Sequence, residues 1–160
     1  MKTLLVYYSF EGNSGCVADI IKNNSDMDIE KLIPDKEPPK SGPGKFLKGG
    51  GSVIKKELVG LKAIEHDPAG YERIILLCPV WASSFPPAIR TFLTDHDLNG
   101  KELYMIGCSS SGHAENMFGR TEKFTGVKLS GTLSLRDPLK FKEEAEAAVK
   151  DFLEKIQKKY

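Results

Sequence analysis

The sequence lacks most of the features that would place it at once. No run of about 18 apolar residues occurs, and the apolar patch near the start is short and lacks a small-residue cleavage site. Neither a membrane span nor a secretory leader is expected, which points to a cytoplasmic protein. Cysteine is sparse: Cys16, Cys78 and Cys108 are an odd number without C-x-x-C spacing, and two of them end apolar runs. Buried thiols suit that pattern better than disulfides or a zinc site, and no metal site is expected.

Charge of one sign is also missing, since the formal net charge is only +1. Divided along the chain, however, residues 31–62 hold eight lysines against Asp35, Glu37 and Glu57, a local balance of +5 that leaves −4 for the remainder. Lysines in such a segment are ordinarily a solvated surface, and the alternative is a patch for an acidic partner or a phosphate-bearing ligand. No aromatic or arginine platform accompanies them, so nucleic acid is not expected as a partner.

Several nucleotide and hydrolase motifs are absent as well. Gly42-Pro43-Gly44-Lys45 is followed by Phe46 where a P-loop needs a hydroxyl, and Pro39 stands where its first glycine belongs. No G-x-G-x-x-G follows a strand. Cys108-Ser109-Ser110-Ser111-Gly112 misses the G-x-S-x-G elbow at its first position. A small acyl hydrolase on the Ser109–His113 loop, with His113 or His96 as base, therefore stands only as an alternative.

What is present begins at Leu4–Tyr8, a short apolar run that empties into Ser9-Phe10-Glu11-Gly12-Asn13-Ser14. Val17, Ile20 and Ile21 then recur at helical spacing, so the unit reads strand, tight loop, helix. The first amides of a helix have no intrahelical acceptor and carry the positive end of its dipole, which makes such a loop an anion cradle. Ser9, Asn13 and Ser14 bring side-chain donors, and Gly12 permits close backbone approach.

Further strands are expected over Met27–Ile33, Arg73–Cys78, Leu103–Cys108 and Val127–Leu135. Helices are expected from Pro86–Pro87, with Ile89, Phe92 and Leu93 buried, from Ala114 to about Lys123, and from Asp137–Pro138 with Phe141, Ala145, Val149 and Phe152 on one face. Residues 34–68 hold five of the nine prolines and the run Gly49-Gly50-Gly51, with a short amphipathic piece around Val53–Leu61; this Pro/Gly/Lys-rich connection is a candidate lid. Residues 1–160 read as a single domain. The alternation of strands and helices predicts an α/β fold, a parallel sheet covered on both faces, with ligands bound beyond the carboxyl ends of its strands. The loops 9–14, 79–85 and 109–113 all fall at such ends, and together they offer an anion site, aromatic rings and backbone hydrogen bonds.

Tyr8-Ser9-Phe10-Glu11-Gly12-Asn13-Ser14 resembles the phosphate loop of flavodoxins, commonly S-x-T-G-N-T, and Pro79 through Leu93 resembles that family's second flavin loop and following helix. The resemblance in order and spacing extends over nearly the whole chain and fits the short-chain branch. It implies a flavodoxin-like three-layer sandwich with a five-stranded parallel sheet in the order 2-1-3-4-5 and FMN as cofactor. On that basis Ser9, Glu11, Gly12, Asn13 and Ser14 hold the phosphate, with Phe10 also among the cofactor-binding residues, while Pro79, Val80, Trp81, Ala82 and Ser83 border the isoalloxazine on one side. Ser109, Ser110, Ser111, Gly112 and His113 border it on the other, with His113 a candidate proton donor.

Two departures bear on chemistry. Glu11 replaces the usual threonine, so its side chain is expected to point away from a phosphate while its amide contributes. Ser83 stands where relatives often have glycine, which makes a positive-φ backbone costlier there, by about 1 kcal/mol, and disfavours the one-electron reduced state. The resemblance implies electron transfer to a protein partner or to a small acceptor such as a quinone, with NAD(P)H a candidate donor, in a monomer or homodimer.

Overall fold

A computed structural model describes residues 1–37 and 58–159. Its sheet is built from β1 (Thr3–Tyr7), β2 (Asp28–Lys31), β3 (Arg73–Pro79), β4 (Glu102–Ser109) and β5 (Leu129–Arg136), in the order β2-β1-β3-β4-β5 with every neighbouring pair parallel. The expected strand order is the observed one. Among the described residues the helices are α1 (Asn13–Asn24), α2 (Pro87–Asp95), α3 (Glu115–Thr125) and α4 (Lys142–Gln157), plus a 3₁₀ turn at Pro68–Gly70.

Alternation along the strands decides which helix covers which face. Leu4, Val6, Ile74, Leu76, Cys78, Leu103 and Met105 point to one side, where Ile89 and Phe92 of α2 and Met117 and Phe118 of α3 meet them. Leu5, Ile75, Leu77, Tyr104, Ile106 and Cys108 point to the other, against Val17 and Ile21 of α1 and Val149 and Phe152 of α4. The central strands are thus buried on both faces, as their unbroken apolar runs require. Cys78 and Cys108 are buried thiols; burial pushes Cys78 well up and Cys108 to about 12, while Cys16 is half-buried.

Three boundaries differ from the expectation. Strand β2 is shorter because Ile33 and Pro34 leave the parallel ladder and pair antiparallel with the returning chain, Lys62 N–H donating to Ile33 O and Asp35 N–H to Gly60 O. Helix α4 starts at Lys142 rather than at Asp137: Asp137 takes a positive φ of 33°, and its carbonyl accepts from Lys140 and Phe141 in a turn that precedes the helix. The piece expected around Val53–Leu61 lies mostly outside the described residues, as does the Gly42–Lys45 run; residues 58–61 form no helix. Of the 34–68 connection, residues 38–57 lie outside the described residues.

The return of that connection is fastened by buried polar groups. Glu30, 5% exposed on β2, accepts through Oε2 from the amides of Glu65 and His66, at 3.0 and 2.9 Å, and stands 3.0 Å from His66 Nδ1. On α2, Thr91 Oγ1 accepts from Val59 N–H and donates to Val59 O. Removing the Glu30 carboxylate takes the shared acceptor from the part-buried amides of Glu65 and His66, so Glu30→Ala is expected to destabilise the fold by about 1–2 kcal/mol in urea unfolding.

Candidate functional site

The carboxyl ends of β1, β3 and β4 lie side by side, and each runs into one of the three loops singled out in the sequence. Pairing continues one step past the strands: Tyr8 N–H donates to Leu77 O, and Val80 N–H to Cys108 O. The loops therefore emerge from a rigid edge rather than from frayed strand ends.

The first loop leaves hydrogen-bond donors open at the start of a helix. Gly12, with φ at 102°, is the N-cap of α1, and its carbonyl accepts from Cys16 N–H. Ser9 Oγ accepts from Gly15 N–H at 3.0 Å, which leaves the serine hydroxyl proton to donate outward. Among the described residues no acceptor faces the amides of Gly12, Asn13 and Ser14. Ser14 is 1% exposed, and its Oγ has no hydrogen-bond partner, although the weakly accepting Cys108 thiol is close enough for the hydroxyl to oppose part of that thiol's upward shift. Buried hydroxyls with so weak an acceptor are uncommon, and this one sits in the first turn of a helix where the dipole favours negative charge. Glu11 is exposed.

The second loop is tighter than the sequence suggested. Pro79 belongs to β3, and Trp81 and Ser84 exchange both backbone hydrogen bonds, at 2.8 and 2.9 Å, around a two-residue turn. Ala82 and Ser83 have φ of 46° and 58°, the primed turn that ordinarily calls for Asn-Gly. Trp81 is held edge-on by Tyr8 and Phe10, with centroids 5.7 and 5.4 Å away, so the aromatic ring of the second loop rests on residues leading into the first. Arg120 on α3 reaches Ala82 O at 3.4 Å.

The third loop is closed by its own serines. Ser109 Oγ donates to His113 O at 3.0 Å and lies 3.3 Å from Ser111 Oγ, which accepts from His113 N–H. Gly112 has φ of 80°, and a Cβ there would stand 3.1 Å from Arg136 Cβ. His113 is largely exposed, its Nδ1 3.6 Å from Glu115 Oε2. The Glu115 carboxyl is held below its ordinary value, first by its own backbone amide and then by His113.

A cavity of about 320 Å³ joins the second and third loops, lined by Val80, Ser83, Ser109, Ser110, Ser111 and His113, with Ala114–Met117 of α3 behind. The first loop does not line it; Tyr8 and Phe10 pack on Trp81 of the second loop, which stands outside the lining. Sequence reasoning missed the turn after β5, where Leu139 N–H donates to Asn13 Oδ1 at 3.0 Å and Asp137 N–H to Ser109 O at 3.1 Å. The signal was available, because β5 ends at the same edge as its neighbours.

The hydrolase alternative lacks its parts. Ser110 makes no hydrogen bond to a histidine among the described residues, and His96 stacks on Phe92 at the far end of α2, the opposite edge of the sheet.

No family model matches the chain, and no curated protein matches it. Solved structures do. A protein from Bacteroides uniformis designated a flavoprotein superposes with a TM-score of 0.79 at 19% identity, over 96% of this chain and 97% of that one. A flavoprotein in complex with FMN from Lactobacillus acidophilus gives 0.68 at 18% identity, over 89% and 97%. Oxidised flavodoxin 2 from Bacillus cereus gives 0.58 at 19% identity, over the full length of both chains. The likeness shows a flavodoxin-like fold.

The strained turn yields a prediction independent of any ligand. Relief of left-handed strain at Ser83 is worth about 1 kcal/mol and is partly offset by glycine's greater freedom when unfolded, so Ser83→Gly is expected to stabilise by about 0.5 kcal/mol. Ser83→Val is expected to destabilise by about 1–2 kcal/mol, both read from thermal midpoints.

Proposed function

We propose that the chain is an FMN-binding redox protein acting as one domain, with the phosphate on the Ser9–Ser14 loop and the ring system between residues 79–83 and 109–113. One observation carries the reading: the amides of Gly12, Asn13 and Ser14 have no acceptor among the described residues and stand, with the Ser9 and Ser14 hydroxyls, at the N-terminal, positive end of α1. They match a phosphate dianion in number and character, since such a group accepts several hydrogen bonds and gains from a helix dipole. The neighbouring cavity falls at the low end of the range for small-molecule sites, about 300–1,000 Å³.

The division of labour follows from the residues. Gly12, Asn13 and Ser14 donate from the backbone, Ser9 and Ser14 from hydroxyls, and Asn13 from Nδ2, because its Oδ1 is engaged by Leu139. Glu11 contributes its amide. Phe10, Pro79, Val80, Trp81 and Ala82 supply an apolar wall on one side of the ring, with the Ser83 hydroxyl at its margin. Ser109, Ser110, Ser111, Gly112 and His113 supply the polar edge, and His113 is the imidazole in the cavity lining that can hold a proton. Bound FMN supplies the redox chemistry, accepting and passing on electrons. The acceptor is a protein partner or a small molecule such as a quinone, and the donor a redox partner or NAD(P)H.

Purified protein is expected to be yellow, or to become so on reconstitution, and to release fluorescent FMN on denaturation. Ser14→Ala is expected to weaken FMN about tenfold or more, the worth of a hydrogen bond to a charged group, while riboflavin binding stays unchanged. Protein that takes up no FMN, or that binds riboflavin and FMN equally, refutes the reading. Stopped-flow mixing with NADH and NADPH separates the two donor classes: rapid bleaching of the flavin identifies a reductase, and none identifies a carrier fed by a protein.

A further inference from the structure

The turn Arg136–Phe141 after β5 touches two of the three loops, yet no part of the reading above gives it a task. Leu139 N–H donates to Asn13 Oδ1 at 3.0 Å, a hydrogen bond spanning 126 positions of sequence. The Leu139 side chain lies over Gly12, with Cδ1 3.2 Å from where a Cβ on that glycine would stand. Leu139 is nevertheless 57% exposed, so its side chain adds little to the core.

The turn is itself firmly held. Asp137 N–H donates to Ser109 O at 3.1 Å, and Asp137 O accepts from Lys140 and Phe141 at 2.8 and 3.0 Å. The Arg136 guanidinium lies 4.4 Å over the Phe141 ring, and its stem packs on Gly112. Asp137 is one of three non-glycine residues with positive φ among those described, and the other two are Ala82 and Ser83 of the second loop. All three strained positions thus lie at the same edge of the sheet, and strain persists only where the surroundings over-determine it.

We propose that Leu139 is a positioning residue for the anion loop: its N–H fixes the orientation of the Asn13 amide, and its side chain confines the glycine hinge at Gly12. A glycine at φ 102° has many alternatives open to it, and a loop that samples them must be ordered when phosphate arrives. Leu139 thus fastens both residues that open α1, Gly12 through its side chain and Asn13 through its N–H. Asn13 Oδ1, which would repel an anion, is turned away onto Leu139, leaving Nδ2 for the ligand. The inference rests on the FMN reading, and the experiment separates the failure of either.

Apo-protein is titrated with FMN and with riboflavin, following quenching of flavin fluorescence, for the wild type, Leu139→Ala and Leu139→Met. Uncovering Gly12 in Leu139→Ala is expected to weaken FMN about three- to tenfold through lost preorganisation, with riboflavin unchanged and the apo thermal midpoint within a few degrees. Leu139→Met, which keeps a cover of similar length, is expected to restore FMN affinity. Should Leu139→Ala leave FMN affinity at the wild-type value, or weaken both flavins alike, the positioning role is overturned while the cofactor reading stands. A wild type that binds neither flavin overturns the cofactor reading and the inference with it.

Discussion

The structure depends on the parallel pairing of β1, β3 and β4, three apolar strands buried on both faces. Because each returns through a helix, all three must run the same way, and each must shed its polar continuation at the same edge. The register carries this to the last residue: Tyr7 stands opposite Leu77, and Pro79 opposite Cys108. A sheet with its interior filled by Leu, Ile, Val and Met has no place there for a polar ligand, so the edge where backbone amides are left over is where binding chemistry collects.

At that edge the chain repeatedly breaks local rules that it respects elsewhere. Ala82 and Ser83 occupy a turn suited to Asn-Gly, Asp137 takes a left-handed conformation, and Ser14 buries a hydroxyl beside the weakly accepting Cys108 thiol. Each is costly, on the order of 1 kcal/mol or more, and contacts from other segments help to hold Asp137 and the turn at 82–83. Trp81 is fixed by Tyr8 and Phe10, the Trp81–Ser84 bridge closes the turn, and Arg120 reaches Ala82 O. Conflicts between local preference and global fold gather at functional positions because folding alone does not reward them.

Much of this was legible in the residues. The runs Arg73–Cys78 and Leu103–Cys108 are continuous because both faces are covered, and they mark their strands almost to the residue. The 3.6-residue spacing in α1 and the prolines opening α2 mark those helices equally well. Asp137-Pro138 misled, because the pair is equally good chemistry for a helix start and for a turn. Here Ser109 O and Asn13 Oδ1, both distant in sequence, claim the amides of residues 137 and 139 and delay the helix to Lys142. The tight turn at 82–83 was hidden for the same reason, since nothing local in Trp-Ala-Ser-Ser asks for positive φ.

On the proposed reading, the way an anion is accommodated follows from what the first loop does not contain. No lysine or arginine belongs to the 9–14 loop, and the sequence's basic excess lies in residues 31–62. The attraction on offer in the loop is that of oriented amides and hydroxyls, which are fixed in direction and lose little entropy when they engage. Their strength depends on holding their geometry, because a dipole that swings away contributes nothing, whereas a lysine keeps its charge wherever it points. Rigidity at Gly12 and Asn13 is therefore the condition on which binding at such a site depends, and supplying it is the task proposed for Leu139, which touches both.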